Sequence, residues 1–197
     1  MAELWGILLA AGSSTRLKKP KQLVDVAGES ALKRSTRLLE WITGRRTIVV
    51  LGCHHERLRR ELRDLHSNIV FNPEWKTGMA SSLKMAIHAL PRTADGALIM
   101  TCDQLQLETA DLQRLVDEWQ KDPTACVAAR YADTLGVPVI FPRSQFGRID
   151  TLDGDNGAKR LINGNGKLAT IDLPHAEFDL DTPEDLDRLQ EHFPSSA

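Results

Sequence analysis

The feature that most restricts the fold of this chain is an alternation of short, continuous apolar runs with segments of helical periodicity. The apolar runs lack a polar residue at every second position, so they predict strands that are buried on both faces of a mostly parallel sheet. We predict such strands at residues 4–10, 47–51, 69–71, 97–101 and 125–129.

The segments between these runs carry apolar residues at the spacing of one helix face, beginning at Leu58, Leu83 and Leu112. Strands that alternate with helices predict right-handed crossovers. The expected fold is a single-domain, three-layer α/β sandwich with a mostly parallel, Rossmann-like sheet. We assign residues 1–194 to this domain and 195–197 to a loose tail. Residues 131–142 are interpreted as a hairpin or an excursion from the main sheet.

The composition excludes several classes of protein. Lys and Arg number 25 and Asp and Glu 27, a net charge of -2, so no strong overall field would attract nucleic acid or an anionic membrane. The first apolar run is preceded by Glu3 and by no basic stretch, which is typical of a first strand rather than of a signal peptide. The 3 widely spaced cysteines fit neither a disulfide framework nor a zinc site. We therefore expect a soluble, cytoplasmic protein that binds neither nucleic acid nor a membrane.

Ligands of such sheets bind beyond the carboxyl ends of the strands, which points to the loops after residues 10, 51, 71 and 101 and among them to the loop after the first predicted strand. This loop contains the small residues Ala11 and Gly12, and then Arg16 and Lys21. Small residues let a backbone approach a ligand, and exposed amides with basic side chains can bind phosphate. The P-loop and G-x-G-x-x-G patterns are both absent. A solvated basic turn is the alternative, but the position of the loop favours anion binding.

Two acidic segments could hold a metal ion. Asp103 follows a buried strand, where a carboxylate beside phosphate oxygens is typical of Mg²⁺ sites, although capping of a helix or turn explains it equally well. Asp179 and Asp181 would share one face of an extended segment. They precede a helix start at which Asp181 or Thr182 can cap, and the pattern alone favours that capping role.

Three further groups of residues have ordinary as well as functional interpretations. Ser81 and Ser82 stand near the start of a predicted helix, where they could bind an anion or cap the helix. Cys102 lies beside Asp103, but no histidine is spaced to activate it, which favours a small residue at a strand end. We interpret three tryptophans as packing residues: Trp41, Trp75 and Trp119.

Taken together, these segments resemble the MobA-like NTP transferase family and, within it, the molybdenum cofactor cytidylyltransferase, or MocA-like, branch. The similarity runs in order through LAAGSSTRLKKPKQL at 9–23, NPEWKTGMASSL at 72–83, CDQ at 102–104, GVPVIF at 136–141, GDNGAKRLI at 154–162 and DLDTPEDL at 179–186. The chain departs from the family pattern at Lys18, where a glycine is usual, at Leu105, where a proline is usual, and at Val137, where a polar residue is usual.

The resemblance implies roles for individual residues. It implies that the following residues bind the nucleotide: Leu9, Ala10, Ala11, Gly12, Ser81 and Ser82. It implies catalytic roles for Arg16, Lys21 and Asp103, and it implies Mg²⁺ as a cofactor held by Asp103 and Asp181.

The activity that the resemblance implies is transfer of CMP from CTP to molybdopterin, or to its molybdenum-loaded form, with release of pyrophosphate. CTP and molybdopterin would then be substrates, and a recipient molybdoenzyme or its chaperone a transient partner. Three alternatives stay open. One is a nucleotidyltransferase with another phosphate acceptor, such as a sugar phosphate. The second is a non-catalytic nucleotide-binding accessory protein for molybdoenzyme maturation, and the third is an oxidoreductase, which the absent glycine pattern disfavours.

Overall fold

The computed structural model describes residues 2–154, 161–162 and 166–193, and its strands occur where the sequence places its apolar runs, with several additions. The strands are β1 (Leu4–Ala10), β2 (Asp25–Val26), β3 (Glu29–Ser30), β4 (Thr47–Leu51), β5 (Asn68–Phe71), β6 (Gly96–Thr101), β7 (Cys126–Tyr131), β8 (Thr134–Pro142) and β9 (Leu168–Asp172). Seven of them form one sheet in the order β5-β4-β1-β6-β8-β7-β9, and β2 pairs with β3 separately. Within this sheet only β8 runs antiparallel to its neighbours β6 and β7, so the expected mostly parallel sheet is confirmed.

Helices cover both faces of this sheet. They are α1 (Ala31–Thr43), α2 (His55–Glu61), α3 (Met79–His88), α4 (Thr109–Lys121), α5 (Phe146–Ile149) and α6 (Pro183–His192). Leu8 and Met100 face a core built with α1, α2 and α4, whereas Ile7 and Ile99 face a second core built with α3 and α5. Successive strand residues point to opposite faces, so each central strand contributes to both cores. The result is the expected three-layer α/β sandwich.

The segment after residue 130 does not leave the sheet. Strands β7 and β8 form a hairpin inside it, with Tyr131 opposite Thr134, so the hairpin interpretation is confirmed and the excursion is wrong. Val139 and Phe141 are fully buried on β8, which explains why an apolar run with two prolines stays inside the sheet. The expected loose tail at 195–197 lies outside the described residues, as does most of the segment 154–162.

A third, smaller core lies at the carboxyl end of the sheet. Leu17 from the loop after β1 packs with Leu105, which follows β6, and with Leu180 and Leu189 near the C-terminal end. This core joins three segments that are far apart in the chain, and each of them carries a charged residue discussed below. Within the described residues, no helix is long and apolar enough to cross a membrane.

Candidate active site

A cavity of about 190 Å³ opens at the carboxyl ends of β1 and β6. Its wall is lined by Leu9, Ala10, Ala11, Gly12, Lys21, Gln22, Trp75, Gly78, Met79, Ser82, Thr101, Cys102 and Asp103. The small residues that follow β1 therefore lie where the sequence predicts a ligand. The Ala11 carbonyl oxygen accepts a hydrogen bond from the Cys53 amide at 3.0 Å, which joins Ala11 to the segment that follows β4.

The path of the loop after β1 is fixed by Gln22, which the sequence interpretation overlooked. The Gln22 side chain is 1% exposed, and its Nε2 donates to the carbonyl oxygens of Ala10 at 3.1 Å and Gly12 at 2.7 Å. The Lys21 amide donates to Ser14 Oγ at 3.0 Å, which closes the loop from the other side. These bonds hold the loop in place and leave the Lys21 side chain lining the cavity.

Position 18, where the family pattern has a glycine, keeps a backbone conformation that suits glycine. Lys18 has a backbone φ of 57°, the left-handed conformation that glycine adopts without strain. A lysine there costs on the order of 1 kcal/mol relative to an unstrained backbone. The surrounding anchors, among them Gln22 and buried Leu17, hold the turn in place.

Loss of the Gln22 amide should therefore loosen the site. We expect Gln22→Ala to lower the free energy of unfolding by about 1–3 kcal/mol, because the buried carbonyl oxygen of Ala10 and the partly buried one of Gly12 lose their donor. Denaturant unfolding measures this loss. Gln113→Ala is the matched control, since Gln113 Nε2 only contacts exposed Asp117 on α4. Equal stability of the two variants would show that Gln22 does not anchor the loop.

Four charged side chains meet beside the cavity. Lys21 Nζ donates to Asp103 Oδ2 at 2.5 Å and to Asp181 Oδ1 at 3.0 Å. Arg16 donates from its guanidinium to Asp181 Oδ2 at 2.7 Å. The Lys21 and Asp103 side chains are each 16% exposed, whereas Arg16 is 70% exposed. Lys21 is thus the inner cation of the cluster and Arg16 a more exposed outer one.

Backbone contacts explain why Asp181 reaches this cluster across the chain. The Leu180 amide donates to the Asp103 carbonyl oxygen at 3.1 Å, and buried Leu180 packs into the third core. The start of α6 is capped by Thr182, whose hydroxyl accepts from the Asp185 amide while Asp185 Oδ2 accepts from the Thr182 amide. The capping role favoured for this segment is therefore filled by Thr182, and the Asp181 carboxylate is left to contact the two cations.

Burial and charge alter the acidity of the groups in this cluster. Burial by itself would lower the pKa of the Lys21 ammonium, but the adjacent Asp103 carboxylate raises that pKa above its ordinary value, so Lys21 stays charged. Partial desolvation, together with the negative charges of Asp103 and Asp181, raises the pKa of Asp179. Burial raises the pKa of the Cys102 thiol to about 12. Cys102 is therefore not a thiolate nucleophile at neutral pH, as its position at a strand end indicated.

The Asp103 carboxylate has one oxygen free for a cation. Asp103 Oδ1 is buried and has no hydrogen-bond partner among the described residues, while Oδ2 is bonded to Lys21. Such an orphaned acceptor is costly unless a ligand satisfies it. Within the described residues no group of three or more His, Cys, Asp and Glu side chains is arranged to hold a metal. The donor set therefore suits a cation such as Mg²⁺, which needs one or two carboxylates and takes its other ligands from phosphate and water.

The two serines predicted along the nucleotide are placed differently. Ser82 is 4% exposed, lines the cavity and accepts from Asn72 Nδ2 at 3.0 Å. Ser81 lines a separate cavity of about 690 Å³, and its hydroxyl donates to the Gly78 carbonyl oxygen at 2.8 Å within the first turn of α3. The structure thus brings Ser82 to the candidate site and leaves Ser81 beside it, engaged in its own helix turn.

Two aromatic residues join the site that sequence reasoning did not assign to it. Trp75 lines the cavity and packs on Gly52, where an added Cβ would lie 2.5 Å from the Trp75 Cβ. The Tyr131 hydroxyl packs against Gly136. A Cβ added at Gly136 would lie 2.3 Å from that hydroxyl oxygen. Burial, then the charges of Asp179 and Asp103, raise the pKa of Tyr131 to about 12, so the phenol is neutral beside these carboxylates. Gly52 and Gly136 allow these close approaches because they have no side chain, and they were the available signal in the sequence.

This combination of a small-residue loop and a lysine–aspartate cluster agrees with a family-level match. The family model described as MobA-like NTP transferase domain matches residues 6–171. The chain belongs to this family. This MobA-like protein is accordingly a nucleotidyltransferase, and the resemblance drawn from the motifs is confirmed at that level.

Three relatives illustrate the range of the proteins that this chain resembles. The purine catabolism protein PucB of Bacillus subtilis is 27% identical over 203 residues, which cover 95% of this chain and 96% of PucB. A probable molybdenum cofactor guanylyltransferase of Rhodopirellula baltica is 30% identical over 132 residues, 66% of this chain and 62% of that protein. The chain also spans 37% of the longer bifunctional protein GlmU of Corynebacterium diphtheriae, at 26% identity. PucB therefore matches this chain over nearly the whole length of both proteins.

Solved structures agree with the fold. The crystal structure of Rv0371c from Mycobacterium tuberculosis superposes with a TM-score of 0.84 at 29% identity, covering 96% of this chain and 98% of Rv0371c. A second structure of that protein, at 28% identity and a TM-score of 0.78, contains manganese and covers 96% of this chain and 99% of that one.

Proposed function

We propose that this MobA-like nucleotidyltransferase transfers CMP from CTP to the terminal phosphate of molybdopterin, or of its molybdenum-loaded form, and releases pyrophosphate. The observation that carries the proposal is the Lys21–Asp103–Asp181 cluster at the rim of a cavity floored by the loop after β1. The motifs of the cytidylyl branch and the guanylyltransferase relative support the choice of acceptor. The product would pass to a recipient molybdoenzyme or its chaperone.

The reaction needs one bond to form and one to break. An oxygen of the acceptor phosphate attacks the α-phosphorus of the nucleotide, and the bond from that phosphorus to the oxygen bridging the α- and β-phosphates breaks. The bridging oxygen leaves with the β- and γ-phosphates as pyrophosphate. Such phosphoryl chemistry is accelerated by positioning and charge stabilisation rather than by a covalent protein nucleophile. The buried, protonated Cys102 thiol agrees with a mechanism that has no such nucleophile.

The residues of the chain divide this work among them. Backbone amides after β1 and the Ser82 side of the cavity would hold the nucleotide, while Lys21 and Arg16 would neutralise charge on the triphosphate. Asp103 and Asp181 would hold a divalent cation, Mg²⁺ in this proposal, which offsets charge on the phosphates when bound. The manganese in the Mycobacterium tuberculosis relative supports a divalent cation.

Choice of nucleotide is the first test of the proposal. Ala11 is 7% exposed, lines the cavity and is fixed by the hydrogen bond from Cys53. Its methyl group narrows the space at the end of β1, which burdens a purine more than a pyrimidine. A methyl in a pocket shifts discrimination by about 1–3 kcal/mol, so we expect kcat/KM for CTP to exceed that for GTP by at least ~10-fold.

The Ala11→Gly variant checks the cause of that preference. Removal of the methyl group should lower the ratio of kcat/KM for CTP to kcat/KM for GTP. Pyrophosphate release with molybdopterin as the acceptor measures both values. The ratio is the informative quantity, because a folding defect lowers both rates together. Equal use of CTP and GTP by the wild-type protein would contradict the cytidylyl assignment. Activity with a sugar phosphate and none with molybdopterin would instead show that the acceptor is wrong.

A further inference from the structure

The Lys21 ammonium sits between the two carboxylates that would hold the divalent cation of the proposed function. It contacts Asp103 Oδ2 at 2.5 Å and Asp181 Oδ1 at 3.0 Å, so one positive charge bridges both. The most buried positive charge beside these carboxylates is therefore a side chain of the protein itself, Lys21. Arg16 reaches only the far oxygen of Asp181 and is largely exposed.

The same ammonium also lines the nucleotide cavity. A triphosphate in that cavity would bring several negative charges to Lys21. These negative charges would then balance the positive charges of both the Lys21 ammonium and a divalent cation on Asp103. Without the triphosphate, the ammonium and a divalent cation would both lie against the Asp103 and Asp181 carboxylates, with Asp179 as a further acidic side chain close to them. Like charges that share the same two carboxylates repel each other, and this repulsion weakens metal binding.

We propose that Lys21 is an internal counterion that keeps divalent metal out of the site until a nucleotide arrives. The order of binding would therefore be built into the cluster, because Lys21 already pairs with both carboxylates. This inference rests on the proposed function, since it assigns the metal to Asp103 and Asp181. It goes beyond that function by giving Lys21 a second role, in the nucleotide-free protein.

Burial makes this role specific to Lys21 among the basic residues of its loop. The Lys21 side chain is 16% exposed, and Gln22 and the Lys21 amide contact to Ser14 hold its backbone. Lys19 belongs to the same basic run but is exposed. Neutralising Lys19 changes the net charge by the same amount, so it serves as the control for long-range effects.

The test is to titrate the full chain with Mn²⁺ in the absence of nucleotide. Electron paramagnetic resonance measures the free Mn²⁺ and so gives the dissociation constant. We expect Lys21→Met, which keeps the apolar stem, to bind Mn²⁺ at least ~10-fold more tightly than the wild-type protein. Lys19→Met should bind as the wild type does. Mn²⁺ should also raise the Tm of Lys21→Met more than that of the wild type. The reason is that, at equal concentration, a ligand stabilises the folded protein more when it binds that protein more tightly.

The outcomes separate this inference from the proposed function. Binding of Mn²⁺ by Lys21→Met that is equal to or weaker than that of the wild type overturns the counterion role, as does an equal gain in Lys19→Met. The proposed function fails on a different measurement: the wild-type protein then releases no pyrophosphate from CTP and molybdopterin in the presence of Mg²⁺. Tighter Mn²⁺ binding by Lys21→Met alongside that failure would keep the counterion role and discard the acceptor or nucleotide.

Discussion

The Asp103→Ala variant should fold normally and release pyrophosphate at least ~10²-fold more slowly than the wild-type protein, the scale of losing one preorganised electrostatic contact. The reason is the position of the two carboxylate oxygens. Oδ2 holds Lys21, and buried Oδ1 has no partner among the described residues and is available to a cation. Pyrophosphate release from CTP and molybdopterin, with saturating Mg²⁺, measures the effect.

Two further variants make this result decisive. Asp103→Asn keeps the shape of the side chain but removes its charge, so a similar loss of rate would assign the effect to charge rather than to a cavity. Asp181→Ala should lose less, because Asp181 is more exposed than Asp103 and contacts the outer cation. Turnover of Asp103→Ala within about threefold of the wild type would remove Asp103 from the mechanism.

The stability of Asp181→Ala tests the other interpretation of that residue. If the Asp181 side chain capped α6, its removal would cost about 1 kcal/mol of unfolding free energy. In the structure Thr182 and Asp185 form the cap. The variant should therefore lose activity with little change in its denaturation midpoint.

The sheet and the nucleotide side of the site could be predicted because both depend on local patterns. Continuous apolar runs mark strands buried on two faces, and parallel strands bring their carboxyl ends to one edge. That reasoning correctly places Lys21 near Asp103, although 82 residues separate them. The exposed edge strand β9 carries no such run and was not predicted from the sequence.

The remaining details depend on contacts that no local pattern encodes. Asp181 reaches Lys21 because the Leu180 amide bonds to the Asp103 carbonyl oxygen, and a capping pattern near Thr182 hid that role. The packing interpretation of the tryptophans is right for Trp119, which is fully buried, and wrong for Trp41, which is 77% exposed. Whether an apolar side chain on a helix is covered depends on its tertiary neighbours, which periodicity alone does not supply.

The second large effect is expected for Lys21→Ala in the complete reaction. Lys21 faces both the cavity and the carboxylates, so its charge should matter most when negative charge builds up on the departing pyrophosphate. We expect kcat/KM for CTP to fall at least ~10²-fold while the dissociation constant for CTP rises much less. Equilibrium dialysis with CTP and steady-state pyrophosphate release measure the two quantities separately.

Comparison with Lys18→Ala decides whether that loss is specific to Lys21. Lys18 carries the same charge in the same loop, but it is exposed and, unlike Lys21, is not among the residues that line the cavity. Its removal should leave kcat/KM near the wild-type value. Similar losses in both variants would mean that the basic run acts as a general positive surface. A much larger loss in Lys21→Ala, concentrated in kcat, would instead identify the buried ammonium as a group that stabilises the transition state, because uniform binding of the nucleotide would alter KM alone.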